Sequence, residues 1–502
     1  MNRLFSLNVR CFSVLFCIGF NVIVFPVFGQ IINENIKLWD VNGDNNDQFG
    51  NSVAIDQGIV AIGAIGNDEL FVGAGSAFLF DASTGGQIAQ FFPNPSVGNI
   101  KFGYCIAIED SIVAVGAPFD DINGSSSGSV YLFNANTGAQ IAIVTPNDGQ
   151  YNDHFGGAIA LDNGILAVGS SSDDDNGSNT GSVYTFNAST GTQIAKFLPN
   201  DGQDNANFGH AVDIANDILA VGAYRDDDNG SLSGSAYSFD VLTGVQLNKL
   251  LPNDGEAYDL FGDNVSIYDG IVAIGAKSDG QQGGSSGSVY IFNAITGNQI
   301  IKLLTNDGTS ADNFGFCVTL ENGIVAAGAY GDGDNGTDSG SAYLFDALEG
   351  LQIAKLLPSD GEAFASFGAS IAMDNGLLVV GASLDDTIGA VYVFDVAAYM
   401  NVTFVPVTGA GLKLWPNHPN PFNPQTTIAF DMPSEEGVSL RVYDVSGRLV
   451  DVLLDGNIVA QGRNEVVWRG RDMAGRVVSA GVYFYRLETG NYSETKRMML
   501  LK

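Results

Sequence analysis

A Phe-Gly pair recurs seven times along this chain, at Phe49, Phe102, Phe155, Phe208, Phe261, Phe314 and Phe367, and every step is 53 residues. So regular a period means one structural unit used over and over, and it bounds the fold before any local feature does. Each copy holds four short strand-like runs; in the third copy they are 158–161, 165–169, 182–187 and 193–198. Asp162-Asn163-Gly164, between the first two runs, is a tight hairpin signal, and Ala188-Ser189-Thr190-Gly191 joins the last two. The second run is almost wholly apolar, as in Gly58-Ile59-Val60-Ala61-Ile62-Gly63. A strand covered on both faces reads this way. Four antiparallel strands per unit, repeated radially, predict an all-β chain with a seven-bladed β-propeller. A linear solenoid is the rival arrangement.

The two ends of the repeat array complement each other. Residues 35–39 (Asn-Ile-Lys-Leu-Trp) precede the first Phe-Gly, with Lys37 twelve residues before Phe49, as Lys196 is twelve before Phe208. This run matches a fourth strand that lacks its first three. The last repeat has its third strand near 391–395 and no fourth. The N-terminal strand is therefore expected to complete the last blade and close the ring, which removes an exposed sheet edge.

In such a blade the two short turns share one end, and the long loops share the other with the links between blades. Most acids fall on the long-loop end. The loops include Asp120-Asp121-Ile122-Asn123-Gly124, Asp173-Asp174-Asp175-Asn176-Gly177, Asp226-Asp227-Asp228-Asn229-Gly230 and Asp332-Gly333-Asp334-Asn335-Gly336. The links add Asn147-Asp148-Gly149 and its counterparts at 200–202, 253–255 and 306–308. One long-looped, negative rim follows, and loops on a rigid scaffold are where binding concentrates. Calcium takes several carboxylate and carbonyl oxygens on a flexible turn with a permissive Gly. Asp332, Asp334 and Asn335 fit that chemistry best, followed by Asp173, Asp175 and Asn176, and by Asp226, Asp228 and Asn229. No copy carries a closing bidentate Glu, and Asp-Asn-Gly is also ordinary turn chemistry. Ca²⁺ is the one cofactor these loops suggest.

Charge divides the chain. Ten of the 21 basic residues and 46 of the 56 acids precede Leu412, so the front segment carries −36 and the tail +1. An acidic body lacks the basic footprint that nucleic acid requires. Residues 1–29 read as an export signal, with Arg3 and Arg10 before an apolar stretch from Cys11 to Phe28. Phe16 is too bulky before Cys17 for a lipidated cysteine. No other apolar run is long enough to span a bilayer once the signal is removed. Cys105 and Cys317 then remain, on non-adjacent repeats, and are expected as two buried, unbonded thiols. The expected layout is a signal at 1–29, a propeller at 30–396, a linker at 397–411 and a small β-sandwich at 412–502, in a monomer.

Phe102-Gly103 with Val115-Gly116-Ala117-Pro118 resembles the FG-GAP repeat of integrin α chains and many bacterial surface proteins. The resemblance recurs seven times between Asn35 and Val396. The integrin-type calcium loop lies between first and second strands, where this chain has only a tight turn, so that site does not carry over. Phe80-Asp81-Ala82-Ser83-Thr84-Gly85 looks like a turn of quinoprotein-type propellers, but their recurrent docking Trp is missing: the Trp residues are Trp39, Trp415 and Trp468. In the tail, Pro416-Asn417-His418-Pro419-Asn420-Pro421-Phe422-Asn423-Pro424 is followed by Val442-Tyr443-Asp444-Val445-Ser446-Gly447-Arg448, Trp468, Gly481-Val482-Tyr483-Phe484 and a closing Lys496-Arg497-Met498-Met499-Leu500-Leu501-Lys502. This looks like the C-terminal sorting domain of type IX secretion cargo, related to the immunoglobulin-like domain of flagellar hook capping proteins. It implies contact of 412–502 with secretion machinery, and release or attachment at the surface of a Gram-negative bacterium.

Catalytic chemistry has little sequence support. The histidines are His154, His210 and His418; the first two sit near a Phe-Gly where other copies have unrelated residues. No Walker loop, zinc motif, nucleophile elbow or paired-Cys site is present. The expectation is a non-enzymatic surface protein that binds an extracellular protein or glycan on the acidic rim. The alternatives are an extracellular hydrolase or quinoprotein-like enzyme, and a structural surface-layer component.

Overall fold

The structure is a computed structural model that describes residues 30–95, 98–400 and, with short gaps, 413–500. The expected export signal, and the expected linker from 401 onward, lie outside the described residues. Seven four-stranded antiparallel sheets follow the seven Phe-Gly pairs, numbered here as blades 1 to 7 from Phe49 to Phe367. Blade 3 is Phe155–Asp162, Ile165–Ser170, Ser182–Asn187 and Thr192–Phe197, in that order across the sheet. The expected strands are all present. The first begins earlier than expected because Phe155 still pairs with Ser170 across a bulge that ends at Ala158. The hairpin after it puts both Asn163 and Gly164 at positive φ, 51° and 73°, as a two-residue turn of this hand requires.

Packing explains both halves of the repeat signature. Phe155 meets Tyr184 and Phe186 edge-on, with ring centroids 5.7 Å apart in each case. This aromatic group packs on Ala114, Val130, Leu132 and Val144 of blade 2. Full burial of a Phe contributes roughly 1.5–3 kcal/mol, and each blade interface has one. The glycines set the blade spacing. A Cβ on Gly116 would lie 2.2 Å from the carbonyl oxygen of Gly156 in the next blade. The same approach crosses the ring closure, where a Cβ on Gly381 would lie 2.3 Å from Gly50 O. Neither position tolerates a side chain without moving two blades apart.

The ring closes as the sequence predicts. First strands pack on neighbouring first strands around the axis, including that of blade 7 on that of blade 1. Ile36–Leu38 forms the outer strand of blade 7, with Ile36, Lys37 and Leu38 opposite Val393, Tyr392 and Val391. One feature was not expected. Gln30–Ile32 runs parallel to Gln352–Leu356 and adds a fifth strand to blade 6, so the N-terminal segment ties two blades together.

Cys105 and Cys317 are free thiols, and each donates to a carbonyl of the next blade, Gly156 O and Gly368 O, at 3.0 Å. Burial pushes the Cys317 thiol up to about 12, so it stays protonated. The tail is a small β-sandwich. A three-stranded sheet (Lys413–Leu414, Thr426–Met432, Gly462–Trp468) and a four-stranded sheet (Leu449–Val459, Glu436–Asp444, Gly481–Thr489, Tyr492–Leu500) enclose a core that includes Phe430, Trp468, Tyr485 and Leu487. Among the described residues no helix is long and apolar enough to cross a membrane.

Candidate functional site

The acidic loops are built around lysines. In blade 3 the Lys196 ammonium lies 3.0 Å from Asp148 Oδ2 and 3.2 Å from Asp173 Oδ2, and also pairs with Asp175. Tyr184, directly opposite Lys196 across the sheet, donates its hydroxyl to Asp173 at 2.6 Å. The ammonium also sits 4.9 Å from the Tyr184 ring centroid, a cation–π distance. Blade 4 repeats the set: Lys249 meets Asp201, Asp226 and Asp228 at 2.8, 3.0 and 2.6 Å. In blade 6, Lys355 meets Asp307, Asp332 and Asp334 at 2.8, 2.8 and 2.6 Å. Blade 5 uses Lys302 with Asp254 and Asp279, at 2.8 and 2.6 Å. Blade 7 takes its lysine from the N-terminal strand: Lys37 lies 2.7 Å from both Asp360 and Asp385.

These partners account for the nine residues suggested as calcium ligands. Asp173, Asp226 and Asp332 are buried, and each receives a lysine and a tyrosine hydroxyl. Each also folds its own loop, accepting the backbone N–H two residues on, from Asp175, Asp228 and Asp334. The Asn176, Asn229 and Asn335 side chains point away from the carboxylates and donate to Pro199, Pro252 and Pro358 carbonyls at 3.3–3.4 Å, which ties each loop to the following link. An ammonium therefore stands where the carboxylates converge, and a calcium ion there requires the lysine to withdraw. Burial alone would push the Asp332 carboxyl up, but Lys355 and Tyr343 more than offset it and hold it below its ordinary range. Burial likewise opposes the Lys249 ammonium, and Asp201 and Asp228 reverse that and hold its pKa above the ordinary value. Among the described residues one further acidic group has oxygens within 4.8 Å of one another, Glu362, Asp385 and Asp386, and its Asp385 already receives Lys37.

That these lysines and tyrosines pair with the loop aspartates was not read from the sequence, although a signal exists. Lys196, Lys249, Lys302 and Lys355 are 53 residues apart, as are Tyr184, Tyr237, Tyr290 and Tyr343. Between Gln30 and Val396 the chain has eight basic residues, and five of them are in clusters.

Of the other three, Lys277 lines a cavity at the ring axis, Lys101 lies over the Phe119 ring in its wall, and Arg225 lies over Tyr224, which packs on His210. The cavity, of about 400 Å³, is lined from six blades by Tyr104, Phe119, His154, His210, Asp263, Lys277, Phe316 and neighbours. First strands line the axis and begin at the long-loop end, which puts the cavity at the centre of that face. Tyr104, His210, Asp263 and Phe316 occupy one repeat position, two residues after the Phe, where other blades have Asn51, Gly157 and Ala369. Aromatic contacts ring the cavity: Phe119 lies 6.3 Å from Tyr104 and 5.3 Å from His154, and Phe316 lies 4.6 Å from Tyr330. The Asp263 side chain is 4% exposed. Its Oδ2 receives Lys277 at 2.9 Å, while Oδ1 has no hydrogen-bond donor; His210 Nε2 is 3.6 Å away, beyond hydrogen-bond reach. Burial holds the His210 and His154 imidazoles below their ordinary pKa, so both are neutral at pH 7.

The FG-GAP repeat family model matches residues 32–80, 86–133, 139–186, 192–239, 245–292, 298–345 and 351–394. A second model, the secretion system C-terminal sorting domain, matches residues 417–501. That domain makes the chain a secreted or surface-attached protein of a Gram-negative bacterium, and a client of the secretion machinery. Among solved structures, the chain is similar to PorZ of Porphyromonas gingivalis, described as an essential bacterial surface component of the type-IX secretion system, at 16% identity and a TM-score of 0.46. That match covers 92% of this chain, which spans 61% of the length of the PorZ chain. A europium-containing methanol dehydrogenase is similar at 10% identity and a TM-score of 0.37, over 68% of this chain and 81% of that one. No curated protein matches the chain by sequence.

Proposed function

The chain belongs to the FG-GAP repeat family, and from that premise we propose that it is a non-enzymatic binding or adhesion protein that presents its long-loop face to an extracellular protein or glycan. One observation carries this reading. In five of the seven blades the same lysine and aspartates recur around that face and are paired with one another, whereas the mouth at its centre does not repeat and keeps a buried carboxylate oxygen without a donor. A regular scaffold that breaks its own rule in one cavity has the form of a binding site. The acidic loops act as frame and field around the mouth. Calcium enters only as a competitor of the lysines, and a melting curve in calcium and then in chelator tests it: a higher midpoint in calcium supports competition, and equal midpoints rule it out.

The test of the face uses the full chain. Tyr151 is exposed on a long-loop link, and Thr190 is exposed on a short turn at the opposite end. A Tyr151→Cys variant carrying a bulky maleimide should lose binding to extracellular proteins or glycans on an array, and the Thr190→Cys counterpart should keep it. Equal binding by both rejects the assignment. A hydrolase reading has one observation in its favour, His154 Nδ1 3.2 Å from Ser172 Oγ. Labelling of Ser172 by a fluorophosphonate would support it, and its absence would leave the binding reading.

A further inference from the structure

We infer that the cavity at the mouth of the channel is a binding site for an uncharged carbohydrate, whose hydroxyl donates to Asp263 Oδ1 and whose C–H faces lie on Tyr104, Phe119 and Phe316. This inference rests on the long-loop face being the binding face, and it names the ligand class. The argument begins at Asp263. Lys277 occupies Asp263 Oδ2, so the buried Oδ1, an acceptor without a donor, selects a ligand that donates. A purely apolar ligand would leave it unpaired, at the full desolvation cost of the group.

Charge narrows the choice. An ammonium ligand at Oδ1 would enter beside Lys277, already 2.9 Å from Oδ2, and near Arg225, which stacks on Tyr224 5.1 Å from its ring centroid. An anionic ligand would meet Asp263 itself and approach through a ring of acidic loops. A neutral donor avoids both conflicts, and a hydroxyl is the simplest.

The walls supply the second criterion. Tyr104 and Phe119 form one aromatic corner, and Phe316 stands on blade 6, across the channel from them. Aromatic faces carry partial negative charge and attract the positive edges of C–H groups. A sugar ring combines such faces with hydroxyls around its rim. The cavity volume, about 400 Å³, falls toward the lower end of the range for small-molecule sites, roughly 300–1,000 Å³. Its lining comes from six blades gathered around one axis rather than from a line along one sheet edge, which suits a mono- or disaccharide better than an extended peptide.

The test uses the full chain and a panel of methyl glycosides and disaccharides of glucose, galactose, mannose, fucose and N-acetylglucosamine at millimolar concentration. Saturation-transfer NMR finds binders, and calorimetry measures them. At least one sugar should bind, and Asp263→Asn should weaken it by about tenfold or more, the scale of one charge-assisted hydrogen bond. Phe316→Ala should weaken it comparably while keeping the wild-type melting midpoint, which covers the case in which Asp263→Asn misfolds. No binding across the panel, or binding unchanged in a folded variant, or a site that takes peptides and no sugar, overturns the inference. A long-loop label that still blocks a protein ligand would leave the broader reading standing; loss of both would remove both.

Discussion

The rim clusters and the channel mouth lie on the same face and follow opposite rules. On the rim, Lys249 is surrounded by Asp201, Asp226 and Asp228, and the same side chains recur at the same positions in other blades. At the mouth, one repeat position holds Tyr104, His210, Asp263 and Phe316 in turn. The rim set recurs in five of the seven blades, whereas the residues that face the axial cavity differ from blade to blade. Blades 1 and 2 show how tightly the rim set is coupled. In blade 1 the lysine, tyrosine and aspartate positions hold Gln90, Phe78 and Asn67, and Gln90 turns to Glu69 at 3.0 Å. Blade 2 has Ile143 in place of the lysine, and its buried Asp120 is satisfied by the Ser129 and Tyr131 hydroxyls at 2.6 and 2.7 Å. Where the lysine is missing, the buried position is either neutral, as Asn67, or has two hydroxyl donors, as Asp120, as expected where an uncompensated buried charge is costly.

The comparison can be broken most severely at the ring closure. Deleting residues 35–39 removes the outer strand of blade 7 together with Lys37 and the buried Leu38. A loss of ~5 kcal/mol or more is expected in urea denaturation, and an unchanged midpoint would contradict a closed ring. Next comes Lys249→Met, which leaves buried Asp226 without its cation and should cost about 3 kcal/mol. Converting blade 4 to the blade 1 set, with Lys249→Gln, Tyr237→Phe and Asp226→Asn together, should cost less than half of that single change; a sum of independent losses would show the members are not coupled.

A smaller effect depends on pH. Burial raises Asp259 to about 6, more than the backbone N–H of Glu256 and the Lys302 charge offset. Its folded pKa lies above the unfolded value, so it binds a proton more tightly in the native state, and stability falls as pH rises from about 4 to about 6. Asp259→Asn should therefore raise the melting midpoint at pH 7 and leave it unchanged below pH 4. Asp332 works the other way: its lowered pKa contributes stability above the unfolded value that is lost as pH falls through the folded one. The smallest change is Ile143→Lys in blade 2, which offers Asp120 a cation that its two hydroxyls have already replaced. A shift within about 0.5 kcal/mol is expected, and a large gain would mean the hydroxyls do not satisfy Asp120.

Blade number, strand positions and ring closure were legible because one period governed all of them, and because Lys37 kept its register to Phe49 as Lys196 does to Phe208. The acidic rim was legible as composition but not as chemistry. Each cluster joins a link, a loop and an outer strand, as Asp148, Asp173 and Lys196 do, and no short window of sequence contains all three. The mouth was harder to see. His210, Asp263 and Phe316 converge only after the ring closes, so along the chain they look like unrelated variable residues. The Gln30–Ile32 strand is three residues long and has no repeat partner to betray it.

The most direct measurement sets the two regions against each other in one experiment. Calorimetric affinity for the tightest-binding sugar of the panel is compared between the blade 4 set (Lys249→Gln, Tyr237→Phe, Asp226→Asn) and Phe316→Ala, with a melting curve for each. The account predicts wild-type affinity and a lowered midpoint for the rim variant, and at least about tenfold weaker binding with a wild-type midpoint for the mouth variant. Lost affinity in the rim variant beside intact affinity in the mouth variant would contradict it.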